Sequence, residues 1–157
     1  MTISNSAKES SKLFCLHYNQ CDPKKCTSFK LNKYSLLKII KSIRGNLRKS
    51  IVLTPFAVQE ITIDDRGKLS RYGLIVIDCS WKKIMNLKMD NFEYPRKLPP
   101  LIAANPTNYG KWEKLSSVEA LAAALFITNY SNQADMILSK FSWGTQFKKL
   151  NNFEKKE

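Results

Sequence analysis

Leu98-Pro99-Pro100-Leu101-Ile102-Ala103-Ala104-Asn105-Pro106-Thr107-Asn108-Tyr109-Gly110 and the following Lys111-Trp112-Glu113-Lys114-Leu115-Ser116-Ser117-Val118-Glu119-Ala120 form the stretch on which the rest of the chain is organised. Residues 101–104 read as a short buried strand. Asn105-Pro106 interrupts it, because proline lacks an amide hydrogen and keeps the preceding residue out of the helical region. Asn108, Tyr109 and Gly110 continue as a turn-rich loop. Ser116 and Glu119, three residues apart, make a capping box at the start of a helix. Val118, Leu121, Ala122, Leu125 and Phe126 share one face of that helix, and Ala123, Ala124 and Ile127 make the other faces apolar too. A helix apolar all round is a buried helix. A loop pinned between two core elements is a natural ligand site.

Working outward, 157 residues suggest one domain, with enough chain to bury roughly 70% of its unfolded surface. A hydrophobic share of 43%, with 8 Phe, 6 Tyr and 3 Trp, supplies a core. The formal charge is +13, from 26 Lys and Arg against 13 Asp and Glu. Such an excess favours a polyanionic partner, nucleic acid before an anionic membrane. No apolar run approaches the ~18 residues of a membrane span. The segment 1–12 is polar, without the apolar centre of a signal peptide, so a cytoplasmic protein with reduced thiols at Cys15, Cys21, Cys26 and Cys79 is expected. Cys21 and Cys26 with His17 lack the second ligand pair of a zinc site, so no metal is expected.

Along the chain, 1–12 reads as a frayed tail, 13–150 as the single domain, and 151–157 as a charged tail. Strands are expected at 13–18, 51–53 and 74–78. The last is the clearest, since a continuous apolar run means both sheet faces are covered, as in a parallel sheet flanked by helices. It ends in Asp78-Cys79-Ser80-Trp81, and a carboxylate at the carboxyl end of a buried strand is where α/β folds place ligand contacts. A helix cap is the plainer role for Asp78, and core packing for Trp81. Helical spacing of Leu36, Ile39, Ile40 and Ile43 predicts a basic amphipathic helix over 31–44, ended by Gly45. A short helix is expected over 81–87, a polar connection over 88–97, and a helix capped by Asn132 or Asp135 that ends at Trp143-Gly144. Phe147 and Leu150 suggest one more helical piece.

Four blocks in order carry a family resemblance: Asp22-Pro23-Lys24-Lys25-Cys26-Thr27, Leu53-Thr54-Pro55, Asp78-Cys79-Ser80-Trp81, and the organising stretch with its Ala-Ala-Asn-Pro and Lys-Leu-Ser-Ser-Val-Glu-Ala segments. Together they resemble the small-subunit ribosomal-RNA aminocarboxypropyltransferases of ribosome biogenesis, archaeal type. The resemblance implies a SPOUT-like α/β domain with a C-terminal trefoil knot. It also implies transfer of the 3-amino-3-carboxypropyl group of S-adenosylmethionine to N3 of a uridine or N1-methylpseudouridine in the rRNA, by a monomer.

It further implies a cofactor site of Thr27, Leu53, Pro55, Ile77, Asp78, Trp81, Leu98, Leu101, Leu115, Ser117 and Ala120. Leu53, Pro55, Trp81, Leu98, Leu101, Leu115 and Ala120 would line the adenosine and methyl pocket. Backbone at Ile77 and Leu98 would meet polar atoms of the adenine and ribose, and Thr27 and Ser117 the cofactor's polar end. Asp78 would face its ammonium or act as the catalytic base, the weaker role for a carboxylate of ordinary pKa ~4. Lys24, Lys25, Lys30, Lys82, Lys83 and Arg96 would form an RNA-binding face. The alternatives are a methyltransferase on the same fold, a non-catalytic pre-ribosomal factor and a plain basic RNA-binding module.

Overall fold

The fold is taken from a computed structural model. It describes residues 10–17, 27–78, 92–111 and 115–153, without the side chains of His17 and Asp78. Five parallel strands form one sheet: β1 (Leu13–His17), β2 (Lys38–Ile40), β3 (Ile51–Leu53), β4 (Leu74–Asp78) and β5 (Tyr94–Arg96), in the order β2-β1-β4-β3-β5. The expected strands at 13–18, 51–53 and 74–78 are its three inner members. Cys15, Ile51, Leu74 and Val76 face the main core, and Leu16, Val52 and Ile75 face a second cluster with Phe92. Apolar side chains on both faces are what the unbroken run at 74–78 required.

Five α-helices are described: α1 (Thr27–Lys33), α2 (Arg66–Tyr72), α3 (Ser117–Ile127), α4 (Ser131–Leu138) and α5 (Gly144–Leu150). Helix α3 is the buried one. Val118, Glu119 and Leu121 through Leu125 are all inaccessible. Its capping box is formed: the Ser116 hydroxyl accepts from the Glu119 amide at 3.4 Å, and the Glu119 carboxylate accepts from the Ser116 amide at 2.9 Å. A second capping box, Thr62 with Asp65, opens the single turn of 3-10 helix that leads into α2.

Several local expectations are corrected. The helix foreseen over 31–44 is instead the end of α1, a turn, and β2, with a 3-10 helix at Gly45–Lys49. Ser35 takes φ +60°, Leu36 donates to the Leu31 carbonyl, and Ser35 to that of Asn32. This is a Schellman ending with serine where glycine is usual. Ile39 and Ile40 then pair with Cys15 and Leu16, so the parallel ladder overrides a helical spacing. The polar connection at 88–97 contains β5, whose Pro95 is tolerated because β5 is an edge strand.

Residues 101–104 are largely buried but make no strand, for reasons given below. Helix α4 has Tyr130 at its N-cap with no side-chain cap, and Gly144 begins α5 rather than ending α4. The expected tails are partly tied down. Gln133 holds both backbone groups of Ser11, and Phe153 stacks on Phe126 at 4.8 Å. The helix expected over 81–87 lies outside the described residues.

Gly73 shows how closely β1 and β4 approach. Its φ is +96°, and a Cβ there would sit 2.8 Å from the Lys12 carbonyl oxygen and 2.9 Å from the Phe14 ring. Gly45 also has positive φ but nothing within 4 Å. Gly73→Ala should therefore cost about 2–4 kcal/mol in urea unfolding, and Gly45→Ala only about 1. Equal costs would show that the β1–β4 approach is looser than described.

Candidate functional site

Because the strands are parallel, their carboxyl ends gather along one edge of the sheet. There the ladder between β3 and β4 stops at Leu53 and Val76, while that between β1 and β4 continues to His17 and Asp78. β4 thus runs two residues past its pairing with β3, and the backbone of Ile77 and Asp78 borders the gap where Thr54-Pro55 turns away. A crevice at the carboxyl edge beside the central strand is the usual ligand position in open parallel sheets.

The organising stretch crosses the same region. Leu101, Ala103 and Ala104 are buried, and Ile102 carries an isolated bridge without belonging to a strand. The Ile102 amide donates to Asn151 Oδ1 at 2.8 Å, and Asn151 Nδ2 donates to the Ile102 carbonyl at 2.9 Å. The Ala103 amide donates to the Lys111 carbonyl, and Gly110 closes the loop by donating to Ala103 at 2.7 Å. The amides of Ala104 and Asn105 donate to Glu119 Oε2 at 2.6 and 3.1 Å. Asn105 Nδ2 and the Ser116 amide and hydroxyl all converge on Glu119 Oε1, at 2.7, 2.9 and 3.0 Å. Side chains and local turns thus take the place of a strand ladder, which is why an apolar tetrapeptide that reads as a strand is a buried loop.

Glu119 was legible in the sequence as a cap but not as the anchor of this loop. Its signal was its place on a helix apolar on every side: a lone carboxylate there must find donors in the interior. A further tie reaches α1, where Thr27 Oγ1 accepts from the Val118 amide at 3.2 Å. Thr27 therefore caps the first turn of α3 from outside it.

The expected cofactor residues are distributed as follows. Thr27, Leu98, Leu115, Ser117 and Ala120 are half-buried, and Leu98, Leu115 and Ala120 pack on the main core. Leu53 and Leu101 are buried, and Pro55 is exposed on the turn leaving β3. The Ile77 side chain packs on the second cluster, and Ile77 pairs with Leu16 of β1. Half-buried apolar side chains suit the ring faces of an adenosine. The Asp78 side chain and Trp81 lie outside the described residues, as do Lys24, Lys25, Lys82 and Lys83.

Of the expected RNA contacts, Lys30 is exposed, with its ammonium 4.8 Å from the Phe141 ring centroid. Arg96 is corrected. It is 7% exposed, and its Nε donates to both Asp65 oxygens at 3.2 and 3.1 Å while Nη1 donates to the Pro95 carbonyl. A buried guanidinium held this way fastens β5 to the turn before α2 and is not presented to a phosphate. Among the described residues no group of three or more His, Cys, Asp or Glu is arranged to hold a metal.

Glu119→Gln puts an amide nitrogen against donors, and should lower stability by about 2–4 kcal/mol in urea unfolding. Thr27→Val should cost about 1 kcal/mol through the lost cap. Indifference of stability to Glu119→Gln would show that the loop is held by other contacts. Arg96→Met strands Asp65 and should cost about 3–5 kcal/mol. If that variant instead kept full stability and lost RNA affinity, the phosphate-binding reading of Arg96 would return.

Residues 51–155 match the family described as "Ribosome biogenesis protein, C-terminal", and residues 11–44 match a possible Fer4-like domain of RNase L inhibitor. The chain is 44% identical over 145 residues to a 16S rRNA aminocarboxypropyltransferase of Methanosphaera stadtmanae, covering 89% of this chain and 83% of that one. It is 48% identical over 139 residues to that of Thermoplasma volcanium, covering 88% and 84%. The structure of the SAM-dependent rRNA:acp-transferase Tsr3 from Vulcanisaeta distributa superposes with a TM-score of 0.84 at 37% identity, over 92% of this chain and 81% of that one. Identity at this level, sustained through the strands, the pinned loop and the buried helix, makes this chain a member of the 16S rRNA aminocarboxypropyltransferase family.

Proposed function

We propose that this protein transfers the 3-amino-3-carboxypropyl group of S-adenosylmethionine to N3 of a uridine or N1-methylpseudouridine in small-subunit rRNA during ribosome maturation. The observation that carries the reading is the Glu119-anchored loop tied to the first turn of α3, a helix that packs on β4, in a chain whose relatives are named for this reaction. When bound, the cofactor supplies a carbon activated by the adjacent sulfonium and departs as methylthioadenosine.

The chain's own work is orientation. Whichever sulfonium substituent faces the nucleophile in line is the one transferred. Leu53, Leu98, Leu101, Leu115 and Ala120, with Pro55 and Trp81, hold the adenosine and methyl side. Thr27 donates its hydroxyl proton, and Ser117 sits beside it on α3, toward the carboxylate end of the amino-acid arm. Asp78 faces the ammonium of that arm. Lys24, Lys25, Lys30, Lys82 and Lys83 meet RNA phosphates around the mouth.

Two finer elements belong to the same reading. The first is a C-terminal trefoil knot, which the family resemblance implies. An experimental chain trace without threading would end it. The second is action as a monomer in the cytoplasm, where the small subunit is available. No helix among the described residues is long and apolar enough to cross a membrane. A light-scattering mass of two chains would overturn the monomer.

The decisive test incubates the protein with small-subunit rRNA and cofactor labelled either in the carboxyl group or in the methyl group. Carboxyl label should enter the RNA, and methyl label should leave with methylthioadenosine. Methyl label in the RNA would make the protein a methyltransferase, and label in neither would leave a binding factor.

A further inference from the structure

A crevice of about 950 Å³ opens at the amino ends of β1 and β2, on the opposite edge of the sheet from the cofactor crevice. Lys12 and Lys38 stand on its rim with Asn32 and Asn132, and Leu37 and Met136 supply apolar surface within. Both lysines and both asparagines are exposed, and no Asp or Glu is among the described residues that line it. One wall is fixed: Gln133 accepts from the Ser11 amide and donates to the Ser11 carbonyl, each at 2.7 Å, tying α4 to the start of β1. The cationic rim extends past the crevice. Tyr34, half exposed at the end of α1, has the Lys140 ammonium 4.7 Å from its ring centroid, and Lys33 beside it is exposed.

We propose that this crevice takes a single-stranded segment of the rRNA flanking the modified nucleotide, with backbone phosphates on Lys12 and Lys38 and a base against the apolar surface. Lysines pair with phosphates, side-chain amides hydrogen-bond to sugar and base edges, and apolar surface accepts a base face. A protein partner fits less well, because lysine is depleted from protein interfaces. The two edges of the sheet are separated by the length of β1, on the order of 15 Å for five residues at the usual strand rise. That distance is a few nucleotides of extended RNA, so one substrate can engage both edges. The inference rests on rRNA being the substrate.

The test compares wild type with Lys12→Glu/Lys38→Glu on two RNAs: the target hairpin, and the same hairpin with about six single-stranded nucleotides on each side. The double variant should bind the flanked RNA about tenfold or more weakly. A neutral Lys12→Gln/Lys38→Gln variant should lower the slope of log affinity against log salt by roughly two, about one for each phosphate contact. Hairpin affinity, S-adenosylmethionine affinity and the thermal midpoint should not change, which separates a lost contact from a lost fold. Unchanged affinity for the flanked RNA, or an equal loss on the hairpin, would overturn the crevice assignment while leaving rRNA as substrate. Loss confined to protein-containing small subunits would also overturn it, in favour of a ribosomal protein. Failure of wild type to bind either RNA would remove the rRNA reading itself.

Discussion

The structure depends on a carboxylate placed where carboxylates rarely go. Glu119 is fully buried on a helix surrounded by apolar side chains, and burial of such a group is unfavourable unless donors replace its water. Here the donors come from two neighbouring segments of the chain. Ser116 closes the helix cap, and Ala104 and Asn105 bring the loop that precedes it. The first turn of a helix is also the electrostatically favoured place for negative charge. One side chain therefore ends a helix, satisfies a loop that belongs to no strand and fixes the angle between them. Thr27 extends the same cluster to α1 through the neighbouring amide of Val118. Pieces distant in sequence are thus made mutually dependent, and pre-organisation of this kind lets a site orient a ligand without first ordering itself.

The sheet supplies the other half of the site. β4 lies at its centre, and β3 pairs with it only as far as Leu53 and Val76, two residues short of its end. The connection that leaves β3 is restrained at several points. The Thr54 amide donates to the Arg96 carbonyl, the Ile61 amide donates to the Lys97 carbonyl and the Lys97 amide to the Gln59 carbonyl across a parallel bridge between Glu60 and Lys97, and Asp65 grips the Arg96 guanidinium. Arg66 then reaches from the same connection to the end of α3. The connection carrying Thr54 and Pro55 is thus tied to β5, to the segment that follows β5 and to the end of α3.

Much of this was legible, and the failures share a physical cause. The three central strands, the capping box and the burial of α3 all follow from hydrophobic pattern and local hydrogen bonding, which a sequence displays directly. The end of α1 was misread because it uses a Schellman turn at Ser35, with φ +60°, where glycine is the visible signal. β2 and β5 were missed because neither shows the unbroken apolar run of β3: Lys38 opens the first, whose isoleucines fit a helical spacing, and Pro95-Arg96 end the second. Residues 101–104 were read as a strand because burial without helical spacing suggests one. Asn151 and Glu119, which satisfy that backbone, lie 49 and about 15 residues away, and such pairings are written only in the fold.

The charge of the chain needs the same division. A total of +13 points to a polyanion but does not say which cations meet it. Arg96 is buried and Arg66 is half-buried, and both are engaged by other groups of the chain. The first bonds to Asp65, and the second bonds to two carbonyls while lying 4.1 Å from the Tyr130 ring centroid. A rigid fork of donors suits such fixed internal bonding, whereas a lysine holds its charge on a flexible, well-hydrated stem. Lys12, Lys30, Lys33 and Lys38 stand exposed, and so do Arg44, Arg48 and Arg71. Position, not residue type, therefore separates the cations that hold the fold from those left to meet a phosphate backbone: Arg96 belongs to the first kind because Asp65 and the Pro95 carbonyl already bind its guanidinium.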